Sequence, residues 1–79
     1  MSLPARSNAK RVDWWQIITD ICRIGHTHAS IGISIGAAKS TVNGWRNGDC
    51  EPRFEEGDRL IGLWCELMDR SRESVPRMR

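Results

Sequence analysis

The sequence predicts a compact all-α fold of four short helices, with room for a fifth, and three features predict it. Apolar residues recur at helical spacing, glycine or proline closes each such stretch, and no stretch reads as a strand. At 79 residues the chain has room for one domain and one modest core. A chain this short buries only about 60% of its unfolded surface, so its folding margin is thin and a second interface would help.

Residues 1–11 are polar, contain Pro4 and show no periodicity, so a flexible N-terminal arm is expected there. From Asp13 the pattern changes. Trp14, Ile17, Ile18 and Ile21 fall at i, i+3, i+4 and i+7, one face of an amphipathic helix expected over 13–24. Asp13 suits the positive end of that helix, and Gly25 suits its stop. Trp15 and Cys22 widen the apolar stripe, but neighbours on a helix diverge by about 100°, so Trp14 and Trp15 cannot both point fully inward.

A second helix is expected over 28–35, capped by Thr27, facing inward with Ile31 and Ile35 and ended by Gly36. Ala37-Ala38 connect it to a third, over 39–47, with Val42 and Trp45 on its inner face and Gly48 behind it. Pro52 lies in a loop, because proline cannot continue a helix but can begin one. The fourth helix is expected over 53–70. It carries Leu60, Ile61, Leu63, Trp64, Leu67 and Met68. Residues 12–70 are then the domain, and 71–79 are expected to be a flexible charged tail.

The net charge of +2 is unevenly spread. Residues 1–48 hold six Lys or Arg against two acids, residues 49–70 hold three against seven, and the last nine return to a small positive excess. A basic front and an acidic back suit a protein that turns one face to a polyanion. No stretch is long and apolar enough to cross a membrane, and the N-terminal residues lack a signal peptide's apolar core, so the cytoplasm is expected. Cys22, Cys50 and Cys65 are an odd number at wide spacing. They fit two buried thiols and one loop thiol better than a disulfide framework. His26 and His28 make one metal-like pair that no cysteine pair answers, so no metal is expected. With no Gly-rich phosphate loop, no GxSxG and no oriented Cys/His pair, neither an enzyme nor a cofactor or small-molecule ligand is expected.

Helix, three-residue connection, helix is the arrangement of a helix-turn-helix, and the connection makes demands. Its first residue needs a positive φ, which Gly36 reaches without steric cost. Four residues upstream the helices approach closely, and Gly32 supplies a small residue there. Ile31, Ile35, Val42 and Trp45 then lock the pair onto the domain.

With Gly32, Gly36, Lys39-Ser40-Thr41, Val42, Trp45-Arg46-Asn47-Gly48 and Pro52 in order, the segment 27–52 resembles the core of phage repressor/Cro-type regulators, the lambda-repressor-like or XRE class. It covers about a third of the chain. The resemblance implies a lambda-repressor-like helix-turn-helix domain that lays its third helix in the major groove of double-stranded DNA while the second crosses the backbone. It places Lys39, Ser40 and Asn43 at base edges, Asn43 either there or on phosphate. It places His28, Thr41, Arg46, Asn47 and Arg53 at phosphates. It further implies a sequence-specific transcriptional regulator, a repressor of phage or prophage type, that binds its operator as a homodimer. Two residues depart from the family pattern. Gly44 stands where a long base-reading side chain is common, and Ala38 stands where Ser or Thr caps the recognition helix. A DNA-positioning accessory protein of phage packaging or recombination, or a helical protein-interaction module, remain the alternatives. For the dimer, the stripe Leu60, Leu63, Trp64, Leu67 points to Trp64, Leu67 and Met68 as candidate contacts with a second copy. Ile33 is expected as a lone apolar residue on the surface.

Overall fold

Four α-helices follow one another: α1 Trp14–Arg23, α2 His28–Ile35, α3 Lys39–Asn47 and α4 Phe54–Met68, with a 3-10 turn at Arg72–Ser74. The computed structural model describes residues 11–78, and these contain no strand, only a single antiparallel bridge. The expected arm, 1–11, lies outside the described residues except for Arg11.

Local chemistry sets the helix ends. Asp13 caps α1 through its Oδ1, which accepts the Gln16 N–H at 3.0 Å. Thr27 and Ser30 form a reciprocal capping box at α2: Thr27 Oγ1 accepts the Ser30 N–H at 3.1 Å and Ser30 Oγ accepts the Thr27 N–H at 3.0 Å. At α4 the Glu56 carboxylate accepts the Arg53 N–H at 3.2 Å. α4 stops at Met68, two residues short of expectation, because Asp69 adopts a left-handed conformation (φ 56°) and returns its N–H to the Cys65 carbonyl.

α2 and α3 pack on each other, α1 lies across α3 and α4, and α4 also closes over α2. The core between them is built from Ile17, Ile18, Ile21, Ile31, Ile35, Val42, Trp45, Leu60 and Trp64, with Val75 from beyond α4. Trp14 lies over Gly57 of α4, where an added Cβ would come within 3.0 Å of its ring. Trp15, one residue on, is turned away and stays 45% exposed. Cys22 and Cys65 are only half-buried rather than buried, and Cys50 is exposed; all three are free thiols.

Two expectations are corrected. Trp64 offers nothing to a second copy: it is 3% exposed, and its Nε1–H donates to Asp20 Oδ2 at 3.0 Å. The other Asp20 oxygen accepts from Gln16 Nε2 at 2.7 Å. The apolar stripe of α4 closes on α1 because this half-buried carboxylate satisfies the indole there. Leu63, Leu67 and Met68 pack half-buried around the same core.

The second correction concerns the segment 71–79, which does not trail away over its described part. Val75 is 5% exposed, the Asp13 N–H donates to the Pro76 carbonyl at 3.0 Å, and the Met78 N–H donates to the Arg11 carbonyl at 2.7 Å. Arg72 Nη1 meets Asp58 Oδ1 at 2.9 Å. Burying one valine is worth about 1.5–3 kcal/mol, and it adds to the hydrogen bonds that hold the segment in place.

Asp20→Ala strands the indole N–H and is expected to lower unfolding stability in urea by about 1–3 kcal/mol, with Asp20→Asn, which keeps an acceptor, losing less. Equal losses in the two variants would show that this hydrogen bond does not hold Trp64 in place.

Candidate nucleic-acid interface

The turn between α2 and α3 is closed by glycine twice over. Gly36 has φ 82° and ψ 33°, and its N–H and that of Ala37 both donate to the Gly32 carbonyl, at 2.7 and 2.8 Å. This satisfies the end of α2 while the chain reverses. A Cβ on Gly32 would stand 2.2 Å from the Ala37 carbonyl oxygen. Backbone cannot yield there as a flexible side chain would, so the expected need for a small residue tightens to a need for glycine. Arg59 Nη1 adds a hydrogen bond to the Ile35 carbonyl at 3.4 Å, tying α4 to the last turn of α2.

Ile31, Ile35, Val42 and Trp45 are buried at the expected offsets. With that face of α3 committed to the core, the opposite face is left to solvent. Lys39, Ser40, Asn43 and Asn47 are all exposed, and Lys39, Asn43 and Asn47 recur every fourth residue along one stripe. Thr41 and Arg46 are half-buried at its edges. Ala38 has the extended backbone of an N-cap but gives no side-chain hydrogen bond, so the first amides of α3 lack a side-chain cap.

Gly44 does not belong to the exposed stripe. It is half-buried, and a Cβ there would lie 3.4 Å from Cys50 Sγ, in ordinary contact with the loop that follows α3. A side chain at this position would set out along that loop.

The remaining expected contacts are scattered around the stripe. His28, the first residue of α2, is half-buried. Arg53 is exposed and shares a shallow depression with Gly36, Phe54, Glu55, Glu56 and Arg59. Charge in that depression is mixed, with the Glu55 and Glu56 carboxylates beside Arg53 and Arg59. Arg46 is the most constrained of the set. Its guanidinium carbon lies 5.5 Å from the centroid of the Trp15 ring, and its Nη1 donates to Asn47 Oδ1 at 3.4 Å.

Sequence reasoning missed the Arg59 tie, which joins residues 24 apart and leaves no periodic trace. For the Trp15–Arg46 pair the only signal was a second tryptophan that could not face inward. Among the described residues no three His, Cys, Asp or Glu side chains gather as a metal site, and no helix is long and apolar enough to cross a membrane. Comparison with known protein families, curated proteins and solved structures finds no match.

Gly32→Ala is expected to cost more than about 3 kcal/mol or to prevent folding, since the clash is with backbone. A cooperative thermal melt near that of wild type would place the close approach elsewhere. Ala38→Ser is expected to act in the opposite sense. It supplies the absent cap and should raise stability by about 0.5–2 kcal/mol, which for a domain of this size is several degrees of melting temperature.

Proposed function

We propose that this protein is a sequence-specific DNA-binding regulator of transcription, a repressor of phage-repressor/Cro type, that binds operator DNA with α3 in the major groove. One observation carries the reading. α2 and α3 are locked by the Gly32–Ala37 contact and the left-handed Gly36, while Lys39, Ser40, Asn43 and Asn47 are exposed on the outer face of the second helix of the pair. A rigid helix pair with one polar, unpacked face is what major-groove docking requires.

In this reading each residue has a distinct task. The Lys39 ammonium donates to guanine O6 or N7, and the Ser40 hydroxyl accepts several partners. The Asn43 amide reads adenine through N6 and N7, or else meets phosphate. Arg46, Asn47, Thr41, His28 and the N-terminal amides of α2 take phosphates and fix register without reading sequence. Arg53 is the weakest of these because Glu55 and Glu56 flank it.

Binding as a homodimer follows from the small number of cations. Arg46 and Arg53 are the two arginine phosphate contacts of one copy, few beside the roughly 6–10 of tight, salt-sensitive complexes. Two copies on half-sites one helical turn apart double that number. Leu67 and Met68, half-buried near the end of α4, remain the candidate contacts between copies.

A protein-interaction module is the second reading, favoured by Ile33 and Phe54, which are 84% and 87% exposed. A gel-shift titration with fragments of the flanking genomic DNA, against random duplex at physiological salt, separates the two. Preference for one fragment supports the regulator, and equal or absent binding to all of them sinks it.

On the preferred fragment, Lys39→Ala is expected to cost about 1–3 kcal/mol and to relax the preference at one base pair. Arg46→Ala should weaken preferred and random duplex alike and flatten the salt dependence by about one unit of slope. Losses of the same size for both variants on both DNAs would contradict the assigned roles.

A further inference from the structure

We propose that Trp15 is a positioning residue for DNA binding: its exposed indole holds the Arg46 guanidinium in place for the phosphate backbone at the rim of α3. The inference rests on the DNA-binding reading above and adds to it a residue of α1.

Four observations support it. First, Trp15 is not needed by the core, since Trp14 fills the gap over Gly57 while Trp15 lies 45% exposed on the other flank of α1. Second, Arg46 leaves solvent to lie over that ring, 5.5 Å from its centroid, within the roughly 6 Å at which a cation is drawn to a π face. Third, Arg46 Nη1 reaches Asn47 Oδ1, so the stack joins two expected phosphate contacts into one unit. Fourth, the two carboxylates that line the same groove are engaged elsewhere: Glu51 pairs with Arg11, and Asp13 accepts the Gln16 N–H at the start of α1.

The physical consequence is preorganisation. A free arginine loses much rotamer freedom when it grips a phosphate, whereas one already laid against an indole has less to lose. The ring holds the guanidinium from one side, and the N–H groups beyond the Nη1 bond to Asn47 are the ones that match phosphate oxygens. Partial removal of water from the stacked cation also strengthens its attraction to the phosphate.

The test is a double-mutant cycle read by fluorescence anisotropy on a labelled random-sequence DNA duplex over a salt series, with thermal melts of each variant alongside. Trp15→Leu, which keeps apolar cover but removes the π face, is expected to weaken binding about two- to fivefold. In an Arg46→Ala background the same change should have no effect, and Trp15→Tyr should restore most of the loss. The salt slope should fall by about one for Arg46→Ala but hold for Trp15→Leu, where the arginine is present and merely less ordered. If Trp15→Leu weakens binding equally in both backgrounds, or only in step with a lowered melting temperature, the proposal is overturned and the DNA reading stands. If the wild-type protein binds neither random nor flanking genomic duplex even at low salt, both fall together.

Discussion

At Gly32 the connection from α2 to α3 passes so near that a single carbon atom would collide with the Ala37 carbonyl oxygen. Everything on the outer face of the molecule follows from that contact. The path from α2 into α3 is fixed where the connection lies against Gly32, and side chains fill in around it. With Gly36 in the left-handed region, the Gly36 and Ala37 amides both return to the Gly32 carbonyl. A rigid joint of this kind is what a reading helix needs. An error of an ångström at the turn would be carried to Lys39 and Asn43, where hydrogen bonds tolerate little.

The core is small and mostly aliphatic, and it depends on two tryptophans in different ways. Trp45 anchors α3 from within the helix pair. Trp64 is a long-range tie, because its indole N–H is satisfied only by Asp20 on α1, which is in turn steadied by Gln16. A half-buried carboxylate that accepts from two side chains gives the α1–α4 contact a direction that aliphatic packing lacks. The return of the chain past Val75 to pair with residues 11–13 adds apolar burial that four short helices do not supply by themselves.

On the outer surface, charge and shape are divided. α3 presents one lysine and three polar uncharged side chains to solvent, and its arginine is laid sideways against Trp15. Such a face favours hydrogen-bonded discrimination over strong electrostatic attraction. On the proposed reading, a single copy would hold DNA weakly by charge, and a pair of copies would suit it better.

Local physics was legible in the residues themselves. The four helices, the acidic start of α1 at Asp13, the cap at Thr27, the left-handed Gly36 and the inward faces of Ile17, Ile31, Val42 and Leu60 all follow from a period of 3.6, from the charge and hydrogen-bonding demands of helix ends, and from backbone angles that few residues adopt. The exposed stripe of α3 was legible for the same reason, as the complement of Val42 and Trp45. Tertiary structure alone decided the rest. Trp64 turns inward because a carboxylate 44 residues away meets its N–H. Gly32 admits no side chain because a backbone carbonyl from beyond the turn occupies that space. Arg46 lies on Trp15 because α1 crosses the last turn of α3, and the residues after α4 dock because the entry to α1 offers them backbone partners. Each of these joins segments whose relative placement is set by packing, and periodicity along a single helix carries no information about what a neighbouring helix brings to meet it.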